Sequence, residues 1–303
     1  MRRPLLITLV AAALFLLLAV LLPAEWRERA GQAVMATAAR WAGTPTWVWC
    51  ATLLGLWACY LSRAARIWFE WRRETGLPFS QLLWLSLQHN AAVYLLPMRA
   101  GELSFPLLMK RHAGVSLADA ALSLVALRAQ DATVVAALSL SVIWPCVPSV
   151  LASLGLIVTA AWLFRRLRGW QPQGARLQRL AAALRRSRTD WLGWCLSLLM
   201  WSVKLALIAL LLVQLGGLGE HAAFCGALGG EFAAALPVQG PASLGNYEAS
   251  VVAGVWVSHA QGEPPIEQIA AAALAVHLVF FAIACAAGAM AWIAMPRPVG
   301  ELA

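Results

Sequence analysis

The chain has 303 residues, of which 61% are hydrophobic and 12% are charged, and its formal net charge is +9. Soluble domains contain about 45–50% apolar and about 25% charged residues, so this composition excludes an ordinary soluble protein and indicates a polytopic membrane protein. The apolar runs are too long for the alternating strands of a membrane β-barrel, and we therefore expect an all-α fold.

Six apolar runs predict helices that cross the membrane, since a span needs about 20 residues. In chain order they cover residues 5–22, 47–61, 117–144, 150–164, 191–215 and 266–293. The first run has the basic start of a secretory signal, but no clear A-x-A cleavage site follows it. We therefore expect an uncleaved first helix.

Arginine-rich stretches indicate the orientation of the chain. They lie at residues 63–73, 110–112 and 165–188, and the last contains eight arginines. By the positive-inside rule these stretches face the cytoplasm, which predicts a multi-pass protein of the cytoplasmic (inner) membrane with both termini in the cytoplasm. We expect the basic loop at about 165–190 to attract anionic lipid headgroups, and we expect no nucleic-acid partner for so apolar a chain.

Two segments between these spans must begin and end on the same side of the membrane. Residues 80–112 are flanked by basic cytoplasmic stretches, whereas residues 219–267 contain five glutamates and no lysine or arginine. Prolyl turns at Pro97 and Pro237 interrupt the two apolar runs, because proline disfavours helix in the residue before it. The arm 103–112 is only about 15 Å long as a helix, too short to span. We predict two re-entrant helical hairpins that enter from opposite sides.

The two hairpins also resemble each other in sequence. "LPMRAGE" followed by "GVSLADAALSLVALR" can be laid over "LPVQG…GNYE" followed by "EPPIEQIAAAALAVH". We predict an inverted repeat within a single integral membrane domain, 1–303, with repeat A at about 80–144 and repeat B at about 219–294. The overlay matches Pro97 with Pro237, Glu102 with Glu248, and Arg128 with His277.

Polar side chains inside these apolar segments are the candidate functional residues. A charge in the hydrocarbon costs at least about 2.5 kcal/mol, so it is tolerated mainly where it faces a bundle interior or a wet cavity. The candidates for contact with a substrate headgroup are Arg99, Glu102, Arg128, Asp131, Lys204, Gln239, Asn246, Tyr247, Glu248 and His277. The candidates for shaping the hairpin tips are Pro97, Gly101, Pro237, Gly240, Pro241 and Gly245.

Structural roles for several of these residues stay open. Arg99 and Glu102 could pair with each other at positions i and i+3. Arg128 and Asp131 could form an ion pair along their own helix. His277 could be a hydrogen-bonded packing residue, and the polar side chains of the second tip could cap broken helix ends.

Two motifs resemble a known family. "LPMRAGELSFPLLMKRHAGVSLADAALSLVALRAQD" resembles the first signature of the lysylphosphatidylglycerol synthase/flippase transmembrane family, in which a proline, an R-x-G-E core and a basic cluster precede a long helix. "LPVQGPASLGNYEASVVAG" is similar to the second signature, although "GPASLG" replaces its paired glycines and Tyr247 stands where an arginine often precedes the glutamate. The resemblance implies a flippase-like membrane domain without the soluble synthase domain, so we expect no enzyme activity.

The function that these observations predict is movement of a phospholipid or related amphiphile between leaflets, through a polar cavity between the two hairpin tips. The sequence has no Walker loop and no zinc-ligand pattern, so we expect no cofactor, and a proton on Glu102 or Glu248 is the simplest coupling ion. Three alternatives remain: an ion-coupled small-solute transporter, a scaffold, and an intramembrane serine hydrolase that uses Ser243 with His259 or His277. The sequence leaves open a homo-oligomer and a separate lipid-synthesising enzyme as partners.

Overall fold

The architecture is all-helical. A computed structural model describes residues 24–96, 100–167, 169–186, 191–233 and 241–294. These residues form eleven α-helices and no β-strand, which confirms the predicted all-α class for this part of the chain. In chain order the helices are α1 Ala24–Ala42, α2 Thr46–Thr75, α3 Phe79–Leu95, α4 Ser104–Ala113, α5 Leu117–Ile143, α6 Val147–Leu167, α7 Ala175–Arg186, α8 Trp191–Gly216, α9 Glu220–Ala233, α10 Asn246–Val257 and α11 Ile266–Ala294.

Five helices are long and apolar enough to cross a membrane. They are α2, α5, α6, α8 and α11, with 30, 27, 21, 26 and 29 residues. They coincide with five of the six predicted spans, and the remaining run, 5–22, lies outside the described residues. The chain is therefore a multi-pass membrane protein.

Each predicted hairpin segment contains two shorter helices. In the first, α3 ends at Leu95, and a 3₁₀ turn at Ala100–Leu103 leads into α4. In the second, α9 ends at Ala233, and a 3₁₀ turn at Pro241–Ser243 leads towards α10. These helices have 17 and 10 residues in the first segment and 14 and 12 in the second.

Helix α2 continues well past the end of the predicted span. The prediction ended this span at residue 61, because the basic stretch 63–73 lowers the local hydropathy. In the structure the helix runs on to Thr75, and Arg66 and Glu70 are buried, with 2% and 5% of their surfaces exposed. Residues three and four apart share one face of a helix, so this stretch turns a charged face towards the protein interior.

The basic loop also contains a helix that the sequence analysis did not predict. Helix α7 packs against α5 and α6, and Ala181 on it is completely buried. Its arginines Arg176 and Arg179 are exposed. The segment is therefore an amphipathic helix seated on the neighbouring helices, with a basic outer face.

The chain divides into two compact units. The first comprises the described parts of 1–53, 93–101 and 205–285, and the second those of 54–92, 102–204 and 286–303. The prediction of a single domain, 1–303, stays a prediction.

Close contact between α9 and α10 is the main feature of the first unit. A Cβ atom added at Gly229 would lie 2.0 Å from the carbonyl oxygen of Ser250, and one added at Gly254 would lie 2.2 Å from that of Cys225. The order of these contacts shows that the two helices are antiparallel. Only glycine allows the backbones to approach so closely.

The second unit has an apolar core made by α2, α3, α4 and α5. Its buried members are Ile67, Trp71, Leu82, Leu85, Phe105, Met109, Ala120 and Leu127. Ser116 caps α5 by accepting a hydrogen bond from the Asp119 amide, and Gly114 ends α4 with a left-handed φ of 66°. This sharp corner holds the short helix α4 against the long helix α5.

Candidate functional site

The described structure includes most of the candidate residues from the sequence analysis. It includes Gly101, Glu102, Arg128, Asp131, Lys204, Pro241, Gly245, Asn246, Tyr247, Glu248 and His277. Five others, Pro97, Arg99, Pro237, Gln239 and Gly240, lie outside the described residues. The proposed pairing of Arg99 with Glu102 therefore stays a prediction.

Glu102 and Arg128 form an ion pair in the second unit. Glu102 lies in the 3₁₀ turn before α4, and Arg128 lies near the middle of α5. The Nη2 atom of Arg128 donates to both carboxylate oxygens of Glu102, at 2.8 and 3.1 Å. The Nε2 atom of His89 on α3 lies 3.7 Å from the same carboxylate. The side chains of Arg128 and Glu102 are 32% and 19% exposed, so a ligand could reach the pair.

Asp131 is the centre of a more deeply buried network. It accepts hydrogen bonds from Arg66 Nη1 at 2.6 Å and from Ser197 Oγ at 2.8 Å. Arg66 also donates to the side-chain oxygen of Gln130 at 2.7 Å. The observed hydrogen bonds of Asp131 and Arg128 therefore go to residues on other elements. A buried ion pair needs such additional hydrogen bonds to offset its loss of hydration.

A small cavity lies beside these two ion pairs. Its volume is about 20 Å³, enough for one water molecule. The polar residues that line it are Arg63, Arg66, His89, Arg128 and Asp131, and the apolar ones are Ile67, Phe105, Leu124 and Leu127.

Three polar residues of this lining were missed by the sequence analysis. Arg63 and Arg66 were interpreted only as orientation signals, and His89 was not considered. The signal that could have identified the arginines is the spacing of Arg63, Arg66 and Glu70, which places charge on one face of a helix among aromatic residues. His89 is 2% exposed and contacts Ser104 Oγ through Nδ1 at 2.8 Å.

The first unit contains a second carboxylate bonded to a side chain on the following long helix. Glu248 lies in the first turn of α10, and its Oε1 is 2.9 Å from Nδ1 of His277 on α11. Its Oε2 accepts a hydrogen bond from the backbone amide of Gly245 at 2.6 Å. Gly245 has a φ of 83°, which favours glycine. Glu248 therefore caps the helix and also binds His277.

Tyr247 fixes the position of the His277 ring. The two ring centres are 4.6 Å apart, and both residues are buried, with 8% and 4% exposed. A Cβ atom at Gly230 on α9 would lie 2.6 Å from the tyrosine ring, so this glycine makes room for it. Elsewhere, Lys204 lies with its Nζ 5.1 Å from the ring centre of Trp201, a cation–π contact within α8.

A comparison with family models shows the family of the chain. A family model described as the lysylphosphatidylglycerol synthase TM region matches residues 5–288. The chain belongs to this family. Searches of curated proteins and of solved structures found no significant match.

Membership of the lysylphosphatidylglycerol synthase TM-region family confirms the resemblance seen in the two sequence motifs. The match includes both carboxylate pairs, Glu102 with Arg128 and Glu248 with His277. The family is compatible with a lipid-related transport function in the membrane.

Proposed function

We propose that this protein moves a phospholipid or a related amphiphile between the leaflets of the inner membrane. The observation that carries the proposal is the recurrence of one contact: Glu102 bonds to Arg128, and Glu248 bonds to His277. In each case a carboxylate at the start of a short helix binds a side chain of the next long helix. The sequence overlay, which was made without structural information, also matches Glu102 with Glu248 and Arg128 with His277.

The order of the helices supports an inverted repeat. A long helix, a shorter helix, a 3₁₀ turn, a short helix and a second long helix follow one another twice: α2, α3, α4 and α5 in one case, and α8, α9, α10 and α11 in the other. Basic stretches flank the first hairpin, whereas the second contains glutamates and no lysine or arginine, which favours entry from opposite sides of the membrane. Transporters with inverted repeats have their substrate site at such broken helices. We infer that each short-helix pair is a re-entrant hairpin.

The physical argument for lipid transport comes from the depth of the polar groups. A headgroup cannot cross the hydrocarbon unless polar side chains replace its water, and such side chains are tolerated there only when they are paired. In the described structure each carboxylate is bonded to a side chain of another helix. A headgroup phosphate can take Arg128 from Glu102, and a headgroup amine can take the released carboxylate, while the acyl chains stay in lipid.

The proposal includes an orientation and an energy source. The basic outer face of α7 would contact anionic lipid headgroups of the cytoplasmic leaflet, with both termini on that side. The sequence contains no Walker loop, so transport is facilitated or proton-coupled, with Glu102 or Glu248 as the proton carrier.

The experiment that tests the function is lipid movement in proteoliposomes. The purified chain is reconstituted with headgroup-labelled anionic, zwitterionic and cationic lipids, and a membrane-impermeant quencher reports which label has changed leaflet. We expect Glu102→Gln and Glu248→Gln to slow movement about tenfold or more, because each removes a charge-assisted hydrogen bond. The matched control is Glu25→Gln at an exposed position on α1, which should move lipid at the wild-type rate.

Two results would contradict this proposal in different ways. If no lipid moves faster than in protein-free liposomes, the function is wrong, and solute uptake and serine-directed probes become the next measurements. If lipid moves but both glutamine variants keep the wild-type rate, the assignment of the site is wrong.

A further inference from the structure

The cavity beside Arg128 has an excess of positive charge. Three guanidinium groups line it, from Arg63, Arg66 and Arg128, against the single carboxylate of Asp131. The charged groups that act on Arg63 are Arg128, Asp131, Arg66 and Glu102. With Arg63 included, three positive charges face two negative ones. Glu70 is buried on the same helix but does not line the cavity.

Arg63 donates its hydrogen bond to an uncharged side chain, that of Asn90. Its Nη1 donates to the side-chain oxygen of Asn90 at 3.0 Å. Arg66, in contrast, is held by Asp131, and Arg128 is held by Glu102. The excess charge of the cavity is therefore best assigned to Arg63.

Buried donors at the same place lack acceptors. The Nε atoms of two lining residues, Arg66 and Arg128, have no hydrogen-bond partner within the part of the chain that the structure describes. The same holds for Nε2 of Gln130, which does not line the cavity but whose side-chain oxygen bonds to Arg66. Arg66 is 2% exposed and Gln130 is 3% exposed, so bulk water does not satisfy these donors. A buried unsatisfied donor is unfavourable, and several in one place indicate a ligand that accepts hydrogen bonds and donates none.

We propose that this cavity binds a phosphate group, which under the proposed function is the phosphate of the transported lipid. The phosphodiester of a phospholipid is anionic and only accepts hydrogen bonds, and the planar guanidinium group binds it with two hydrogen bonds. The present volume admits one phosphate oxygen. Arg128, whose side chain is 32% exposed, binds the remaining oxygens at the mouth. The apolar side of the lining, from Phe105, Leu124 and Leu127, excludes water from the contact.

Binding, rather than transport, tests this inference. The full-length chain in detergent is titrated with dioleoylphosphatidylglycerol, with dioleoylglycerol, which lacks the phosphate, and with sodium phosphate against sodium chloride at equal ionic strength. Bound lipid is counted by native mass spectrometry, and phosphate binding is followed by its competition with the lipid. The variant is Arg63→Gln, and the matched control is Arg73→Gln at an exposed position on the same helix.

We expect the phospholipid to bind the wild type and dioleoylglycerol not to compete. Arg63→Gln should weaken phospholipid binding about tenfold, the effect of losing one charge-assisted hydrogen bond, and Arg73→Gln should leave it unchanged. Arg63→Lys keeps the charge without the planar fork and should bind with intermediate affinity. This second variant keeps the test usable if Arg63→Gln does not fold.

Competition by sodium phosphate, compared with sodium chloride, shows whether the site recognises free phosphate or only the phosphate of a lipid. If inorganic phosphate displaces the lipid, and does so less well in Arg63→Gln, the site recognises the phosphate group from either source. If only the phospholipid binds, with the same dependence on Arg63, the site is a lipid headgroup site. Equal phospholipid affinity in wild type and Arg63→Gln, or equal binding of dioleoylglycerol, would overturn the inference. Arg63-dependent binding without lipid movement would refute the proposed function and leave the phosphate site standing.

Discussion

Replacing Gly229 with alanine should destabilise the protein, because the backbones of α9 and α10 meet at this residue. The new Cβ atom would lie 2.0 Å from the carbonyl oxygen of Ser250, where real Cβ contacts are essentially never shorter than 3.0 Å. The atom in the way belongs to the backbone, so no side-chain rotation can relieve the clash. The two helices must therefore separate locally by about 1 Å.

The size of the effect follows from two opposing terms. Overpacking of this kind costs typically about 1–3 kcal/mol, and the clash with backbone places Gly229→Ala at the upper end. Alanine is favoured over glycine within a helix by about 1 kcal/mol, which leaves a net loss of about 2 kcal/mol. At about 2–4 °C per kcal/mol for a chain of this size, the midpoint of thermal unfolding should fall by about 4–8 °C.

The assay is thermal unfolding of the purified protein in detergent, followed by the loss of the monodisperse species on size-exclusion chromatography. The matched control is Gly155→Ala on α6, because a Cβ atom there meets nothing within 4 Å. Gly254→Ala should resemble Gly229→Ala, and the double variant should lose less than the sum, since one separation of the helices relieves both clashes. Unfolding of Gly229→Ala at the same temperature as Gly155→Ala would refute the close packing of the two helices.

Two further predictions concern a buried charge and the orientation of the chain. Asp131→Asn leaves the buried guanidinium of Arg66 without its counter-ion, so it should lower thermal stability by the equivalent of about 3–5 kcal/mol. Asp119→Asn, at a half-buried position in the first turn of the same helix, should change stability by less than about 1 kcal/mol, and equal effects of the two variants would contradict the buried pair. Hydrogen bonds with the backbone and hydroxyl of Ser149 lower the pKa of the exposed Cys146 thiol in the turn between α5 and α6, so more of it is thiolate at neutral pH. A single-cysteine variant that keeps Cys146 should therefore react in intact cells with a membrane-impermeant maleimide. The reaction should become slower as the pH is lowered. Labelling only after permeabilisation would contradict the proposed orientation.

The long helices could be predicted because hydropathy alone defines them. Residues 117–144 and 191–215 were predicted, and the observed helices are Leu117–Ile143 and Trp191–Gly216. The prediction of α2 stopped too early, because it treated charge as the end of a membrane helix. Arg66 shows why this rule failed: its charge is satisfied by Asp131, and hydropathy records the charge but not its partner.

Candidate residues were predictable where a charge interrupts an apolar run, as for Glu102, Arg128 and Asp131. The sequence overlay matched Glu102 with Glu248, and the inverted repeat on which this match depends stays a prediction. The partner of Asp131 was not predictable, because Arg66 lies 65 residues away and no local pattern connects the two. The cavity depends on α3 and α4 as well, through His89 and Phe105, and the convergence of four helices requires the tertiary fold.

The separation of Arg66 from Asp131 also has a consequence during synthesis. At about 5–20 residues per second, the ribosome needs roughly 3–13 s to add the 65 residues between them. Throughout that interval α2 carries a guanidinium group without the carboxylate that it bonds in the folded protein. Chains truncated before Asp131 should therefore be more sensitive to proteolysis than chains that end after α5.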